Sequence, residues 1–165
     1  MPIGAVGCFD RSMALPYPTI IPGLRSPAGQ VGGLVYFGRM LDKSRLAAAG
    51  QLPAGGQAER GMVQGSFDWR CCLFLQNDYA ALAAETLKGG SEGELLAWAF
   101  AHGRQPDEQE IEVWNAFLTK RGGRDVGTAF VTQRLAEIGL APGTVQTMFE
   151  FIDLDEGRLA VAGSR

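Results

Sequence analysis

The sequence predicts an all-α fold: a single compact domain of about six or seven helices with an irregular N-terminal arm. Alanine and leucine, which favour helices, number 21 and 17 residues, against 22 for valine, isoleucine and threonine combined. No stretch shows the strict apolar–polar alternation of a half-buried strand. The length of 165 residues suits one domain with a sizeable core.

Irregular chain is predicted at both ends and once in the interior. Residues 1–24 form the arm, because five of the eight prolines lie in the first 30 residues and proline withholds a backbone donor. The helical domain covers residues 25–158, and a tail covers 159–165. Inside the domain, residues 50–65 hold five glycines and a proline, which predicts a long loop of the kind that is often functional or mobile.

The first helix is predicted over residues 31–49, with Ser26-Pro27 as its cap and first turn. At 100° per residue, apolar side chains gather on one side and charged ones on the other. Val35 and Leu46 lie among the charges, so we expect the charged side to be partly covered. The apolar side comprises Leu34, Tyr36, Phe37, Met40, Leu41, Ala47 and Ala48, and the charged side Arg39, Asp42, Lys43 and Arg45.

Two shorter helices follow the long loop. One is predicted over residues 67–75, with Asp68 near its start. The next is predicted over residues 79–88, because Asp78 is a good N-cap and Gly89-Gly90 ends the helix.

The fourth helix begins at a capping box in which Ser91 and Glu94 bond to each other's backbone. It continues through Trp98 to Gly103, and apolar residues lie almost all round it. This pattern predicts that the Trp98 helix is the central, buried one.

Three further helices are predicted over residues 106–120, 126–138 and 144–154. The first of them carries acidic residues at its start and Lys120 and Arg121 at its end, in agreement with the helix dipole.

Charge and hydropathy exclude some classes of partner. The net charge is −3, with about +3 on residues 1–72 and −6 on residues 73–165. Nucleic-acid binding is not expected, because no dense basic stripe is present. Membrane association is not expected either, since no apolar run approaches the ~20 residues that span a bilayer. The sequence does not determine the oligomeric state.

Cysteine and histidine content argues against a metal or another cofactor. Cys8, Cys71 and Cys72 form an odd set without a C-x-x-C pair, which predicts reduced thiols and a cytoplasmic location. Cys71 and Cys72 are predicted to pack in the core rather than to act as nucleophiles. His102 is the only histidine and is predicted to be structural. We therefore predict no metal and no cofactor.

Arg39, Asp42, Lys43 and Arg45 form the most informative cluster. Asp42 lies three residues from each arginine, so one carboxylate can bond two guanidinium groups. The three cations exceed the one anion by two charges, which suits a carboxylate or phosphate ligand. The alternative interpretation is a solvated, salt-bridged helix face.

Three segments carry a resemblance to a known family. The sequence resembles a bacterial family of uncharacterised proteins over about residues 24–157, and it departs from that family at Cys71-Cys72. The resemblance implies a mainly helical domain and no established activity. The segments are Leu24-Arg25-Ser26-Pro27 with Gly32-Gly33 and Arg39-Met40-Leu41-Asp42-Lys43-x-Arg45; Asp68-x-Arg70 with the helix from Asp78; and Phe149-Glu150-Phe151-Ile152-Asp153-Leu154-Asp155.

Three functions are compatible with these residues. The first is a helical module that binds a small anionic ligand through Arg39, Lys43 and Arg70, with Asp42 and Asp68 orienting the cations. The second is an enzyme at the same cleft with Asp42 or Asp68 as acid or base, although the nearby cations would hold an aspartate ionised. The third is a protein–protein adaptor.

Overall fold

The computed structural model describes residues 17–54 and 60–161. Within these residues the chain is mainly helical, with one short hairpin, which confirms the all-α prediction. The elements are β1 (Gln30–Val31), β2 (Leu34–Val35), α1 (Phe37–Ala48), α2 (Phe67–Leu75), α3 (Tyr79–Leu87), α4 (Glu92–His102), α5 (Glu108–Lys120), α6 (Thr128–Glu137) and α7 (Met148–Asp155).

The predicted start of the first helix at residue 31 is wrong, because a hairpin occupies its first turns. β1 and β2 pair antiparallel, with Val31 opposite Leu34. Gly32 and Gly33 connect them at φ angles of +56° and +80°, the conformation that a two-residue hairpin turn requires. Tyr36, also at positive φ, then directs the chain into α1.

α1 is the central helix. Phe37 lies on one side of it and Arg39 and Lys43 lie on the other, yet each is at most 1% exposed. Its charged side is therefore covered, as Val35 and Leu46 indicated.

The prediction that the Trp98 helix is central is wrong. α4 buries only Leu95, Leu96 and Ala99, while Trp98 is partly exposed and stacks on His102 with ring centroids 4.0 Å apart. Burial was predicted because apolar residues lie almost all round the helix. Some of these residues are small alanines that are exposed to solvent, so the apolar pattern did not mean burial on every side.

Five of the described helices, α2, α3, α4, α5 and α7, start at a residue whose side chain caps the helix. Ser66 caps α2 and Asp78 caps α3 through their side chains, and Ser91 opens α4 in a reciprocal capping box with Glu94. α5 and α7 begin later than predicted, at residues 108 and 148, because capping boxes set their starts at Asp107 and Thr147.

The described ends of the chain pack on the domain. Ile21 and Leu24 are buried against Leu46, so residues 21–24 of the predicted arm are irregular but attached. Val161, in the predicted tail, packs on a cluster of buried apolar side chains that belongs mainly to α6 and α7. The rest of the arm (residues 1–16), part of the loop (55–59) and the last residues (162–165) lie outside the described residues.

Asp155, the last residue of α7, gives a pH-dependent prediction. Burial raises the pKa of its carboxyl group above 3.8; the Arg134 charge opposes this shift and the Glu156 charge adds to it. The folded chain thus binds this proton more tightly than the unfolded chain, and the ionised form destabilises the fold. We expect Asp155→Asn to raise the free energy of unfolding at pH 7. Well below pH 3.8 it should have no effect, because the carboxyl group is then protonated in both the folded and the unfolded chain. Urea titrations at pH 7 and well below pH 3.8 measure the two effects. Equal effects at both would contradict this explanation.

Candidate functional site

A buried polar cluster joins α1 to the start of α2. Lys43 Nζ donates to Asp68 Oδ1 at 2.6 Å and to the Tyr36 hydroxyl oxygen at 2.9 Å. The Tyr36 hydroxyl in turn donates to Asp68 Oδ1 at 2.7 Å, and the Gly61 backbone N–H donates to Asp68 Oδ2 at 2.8 Å. Asp68 thus accepts three hydrogen bonds in a place where it is 1% exposed.

Burial shifts the ionisation of this cluster. Desolvation raises the pKa of Tyr36 well above its usual range, and the Asp68 charge adds to the shift. Desolvation lowers the pKa of Lys43, although Asp68 opposes it. Tyr36 is therefore a neutral donor, and Asp68 provides a negative charge beside Lys43.

A second buried pair joins α1 to the end of α7. Arg39 bonds Glu156 with both terminal nitrogens, and both side chains are 1% exposed. Arg39 Nη1 also donates to the Arg25 carbonyl at 2.8 Å, and Arg158 donates to Glu156 Oε2 at 2.6 Å. The pKa of Arg39 is raised, because the hydrogen bond to Glu156 and its charge outweigh desolvation.

Asp42 bonds Arg25, an arginine outside α1. Arg25 Nε and Nη2 donate to the two carboxylate oxygens at 2.6 and 2.9 Å, and Arg25 also bonds Glu92. Gly38 leaves room for this guanidinium, which would overlap a side chain at that position. Arg45 lies farther away, 3.9 Å from Asp42. Asp42 was predicted to bond Arg39 and Arg45, but its main partner is Arg25, and Arg39 bonds Glu156.

Asp42→Asn tests the strength of this contact. We expect it to lower the free energy of unfolding by about 2–3 kcal/mol, because a charge-assisted, two-bond contact at a mostly buried carboxylate is lost. Urea denaturation measures the change. A loss below about 0.5 kcal/mol would mean that the pair behaves as a solvated surface contact.

The surplus of positive charge on α1 is balanced by other elements. Among the described residues, five cations in this region each have a carboxylate within 4 Å, and there are five such carboxylates. The cations are Arg25, Arg39, Lys43, Arg45 and Arg158; the carboxylates are Asp42, Asp68, Glu92, Asp153 and Glu156. That these residues bind a ligand or act in acid–base chemistry stays a prediction.

Arg70 lies apart from this network, against α5. Its guanidinium carbon is 5.6 Å from the centre of the Phe117 ring, and that of Arg121 is 5.7 Å from the same ring. Partial burial, and then the Arg121 charge, lower the pKa of Arg70. Arg121 bonds Asp125 at 3.3 Å. Among the described residues, no carboxylate lies within 4 Å of Arg70.

Cys71 and Cys72 are free, buried thiols; Cys8 lies outside the described residues. Burial raises the pKa of Cys71 well above its usual range and that of Cys72 to about 12. We expect each serine variant to lose about 1–3 kcal/mol of stability, because a hydroxyl would replace an apolar thiol. Native-state labelling by a thiol reagent at pH 8 should be slow at both positions. Fast labelling of either one would contradict their assignment to the core.

No cluster of three or more His, Cys, Asp or Glu side chains within residues 17–54 and 60–161 could hold a metal ion. No helix in the described parts of the chain is long and apolar enough to cross a membrane.

Several members of these clusters were not predicted from the sequence, among them Arg25, Glu92, Asp153 and Arg158. Tyr36 was assigned to the apolar side of the first helix, and Glu156 and Arg121 were not proposed as site residues. Glu156 is 117 positions from Arg39, so no local pattern links the two. Tyr36 could have been found by its spacing, because it precedes Lys43 by two helical turns.

These features define a mainly helical domain with a buried charge network at its centre. A family model described as a domain of unknown function (DUF5069) matches residues 21–158, and the chain belongs to this family. The matched range contains every described helix. No curated protein matches the chain.

Proposed function

We propose that the chain is a binding module for a small anionic group, a carboxylate or a phosphate, held between Arg70 and Arg121. The observation that carries the proposal is that two guanidinium groups lie over one exposed phenyl ring, that of Phe117. Arg70 has no carboxylate within 4 Å among the described residues. An anion between the two groups would relieve their mutual repulsion and could accept bidentate hydrogen bonds.

The buried cations are less suited to bind such a ligand. Arg39 and Lys43 are each 1% exposed and already bond Glu156 and Asp68. A ligand would have to displace a well-bonded carboxylate and enter the core, at the cost of desolvating its own charge. Arg70 carries no such cost, because it is partly exposed.

Thermal-shift and calorimetric titrations with inorganic phosphate, dicarboxylates and phosphorylated metabolites test the proposal. A ligand of the folded state raises the free energy of unfolding by mass action, by about 2.7 kcal/mol at a concentration 100-fold above Kd, and so raises the midpoint temperature. We expect Arg70→Gln to weaken binding about tenfold, the equivalent of one charge-assisted hydrogen bond.

Arg134→Gln is the matched control. Arg134 also lies over an aromatic ring, that of Phe151, but it already bonds Glu137 at 2.6 Å. Its replacement should leave anion binding unchanged. If no anion stabilises the protein, or if both variants bind equally well, the proposal is wrong.

A further inference from the structure

We propose that the anionic group is carried by an acidic amphipathic helix of a partner protein, which docks on the surface between α2 and α5. This inference rests on the proposed function and names the ligand of the same site. We define the α2–α5 surface by five residues: Arg70, Phe74, Val113, Phe117 and Arg121.

α2 and α5 contact each other through two pairs of side chains at this surface. The Phe74 ring stacks on Trp114 with centroids 4.5 Å apart, and one turn away Arg70 contacts Phe117. Two side chains then face solvent one turn apart on α5: Val113 is 63% exposed and Phe117 is 42% exposed. Two adjacent helices with outward apolar side chains form a shallow groove, which another helix can fill with its own apolar face.

A cavity marks where an apolar side chain of the partner would lie. It is a shallow cavity, open to solvent, with a volume of about 370 Å³, and Phe74 and Val113 form its apolar wall. Asp107, Gln109 and Glu110 form the rest of its lining. A leucine-sized side chain fits this volume and would cover the exposed Val113.

The charged residues at the two ends of the surface determine which way a docked helix points. The carboxylates at the cavity end already have partners, since Asp107 accepts from the Glu110 N–H and Glu110 bonds Arg104. At the other end Arg121 bonds Asp125, but Arg70 has no carboxylate within 4 Å among the described residues and attracts one. The two ends are about 12 Å apart, because eight residues separate Val113 from Arg121 at 1.5 Å per residue.

This arrangement favours a protein helix over a free anion. A free phosphate or carboxylate would use only the two arginines and leave Val113 and the cavity bare. A helix with an apolar side chain and a carboxylate about two turns apart would fill both. Since apolar contact and charge then act together, the apolar part should contribute measurably to affinity.

Fluorescence anisotropy with a labelled model peptide tests the inference. The probe is an alanine-rich peptide of about 18 residues, long enough to be partly helical. It carries two leucines four residues apart and two glutamates about two turns further on. The competitor is a scrambled peptide of the same composition. We expect the scrambled peptide to bind at least about tenfold more weakly, the discrimination that buried apolar side chains provide.

Three variants of the full chain separate the two proposals. Val113→Ser should weaken peptide binding about tenfold and leave phosphate binding unchanged. Arg70→Gln should weaken the binding of both the peptide and phosphate. Leu87→Ser, at a residue 53% exposed at the end of α3, should change neither. Because Val113 is exposed, its replacement should leave the fold intact, which circular dichroism checks.

Several results would overturn the inference. If Val113→Ser has no effect on peptide binding, or if the scrambled peptide binds equally well, the site holds an anion alone; the inference then fails and the proposed function stands. If Arg70→Gln changes the affinity for neither the peptide nor phosphate, the proposed function fails as well. If sedimentation shows a dimer that Val113→Ser dissociates, the occupant is a second copy of this chain and not a partner protein.

Discussion

Replacing Glu156 with glutamine is expected to lower the free energy of unfolding by about 3–5 kcal/mol, the usual cost of breaking a buried ion pair. Glu156 is the carboxylate that Arg39 bonds with both terminal nitrogens, and it also accepts from Arg158. Glutamine keeps the size of the side chain but removes the negative charge. The guanidinium would then remain in the core beside a neutral amide.

Urea denaturation at pH 7 measures this loss, with Glu137→Gln as the matched control. Glu137 also bonds an arginine, Arg134, but its side chain is 43% exposed. We expect the control to change stability by no more than about 0.5 kcal/mol, as surface substitutions usually do. Similar small losses in both variants would show that the core tolerates the Arg39 charge without its carboxylate partner.

The second large effect is expected at Asp68. Asp68→Asn should cost about 3–5 kcal/mol, because it removes the negative charge that lies 2.6 Å from the buried Lys43 ammonium. Asparagine keeps only one acceptor oxygen, whereas Tyr36 and Gly61 donate to different oxygens of Asp68, so one of these hydrogen bonds is lost together with the charge. Burial already lowers the pKa of Lys43, and the variant should lower it further.

A double-mutant cycle isolates the pair. In Lys43→Met/Asp68→Asn both charges are gone, and the double variant should be less destabilised than the sum of the single variants by about 2 kcal/mol. Chemical denaturation of the four proteins gives this coupling free energy. Simple additivity would mean that the two groups do not stabilise each other, despite their contact.

The helical part of the fold was predictable because its signals are local. Ser91 with Glu94 and Asp78 with the amides of α3 act within one turn, so sequence alone indicates where these helices start. α2 likewise has the predicted bounds.

The hairpin, and the fact that α1 rather than α4 is the most buried helix, were not predictable from the same local signals. The Gly32-Gly33 turn interrupts a pattern that is also compatible with a helix, and β2 is held by Asn115, 80 residues away. The buried cations of α1 depend on Asp68 of α2 and on Glu156, which directly follows α7. Helical periodicity reports how one element divides its own residues, and it contains no information on which charges other elements will supply.

The candidate site divides in the same way. Asp42 beside a guanidinium was predicted from spacing within one helix, but the partner proved to be Arg25. Arg70 was identified from a short motif, whereas its neighbours Phe117 and Arg121 come from α5. The distances that matter at this surface are set by how α2 and α5 pack.

The position of Glu156 after α7 also affects how the protein is made. The carboxylate that matches Arg39 is synthesised 117 residues after it. Until then the apolar and charged sides of α1 cannot be buried together, and contacts between such distant residues form slowly. We therefore expect a chain truncated before residue 156 to expose part of α1 and to be aggregation-prone.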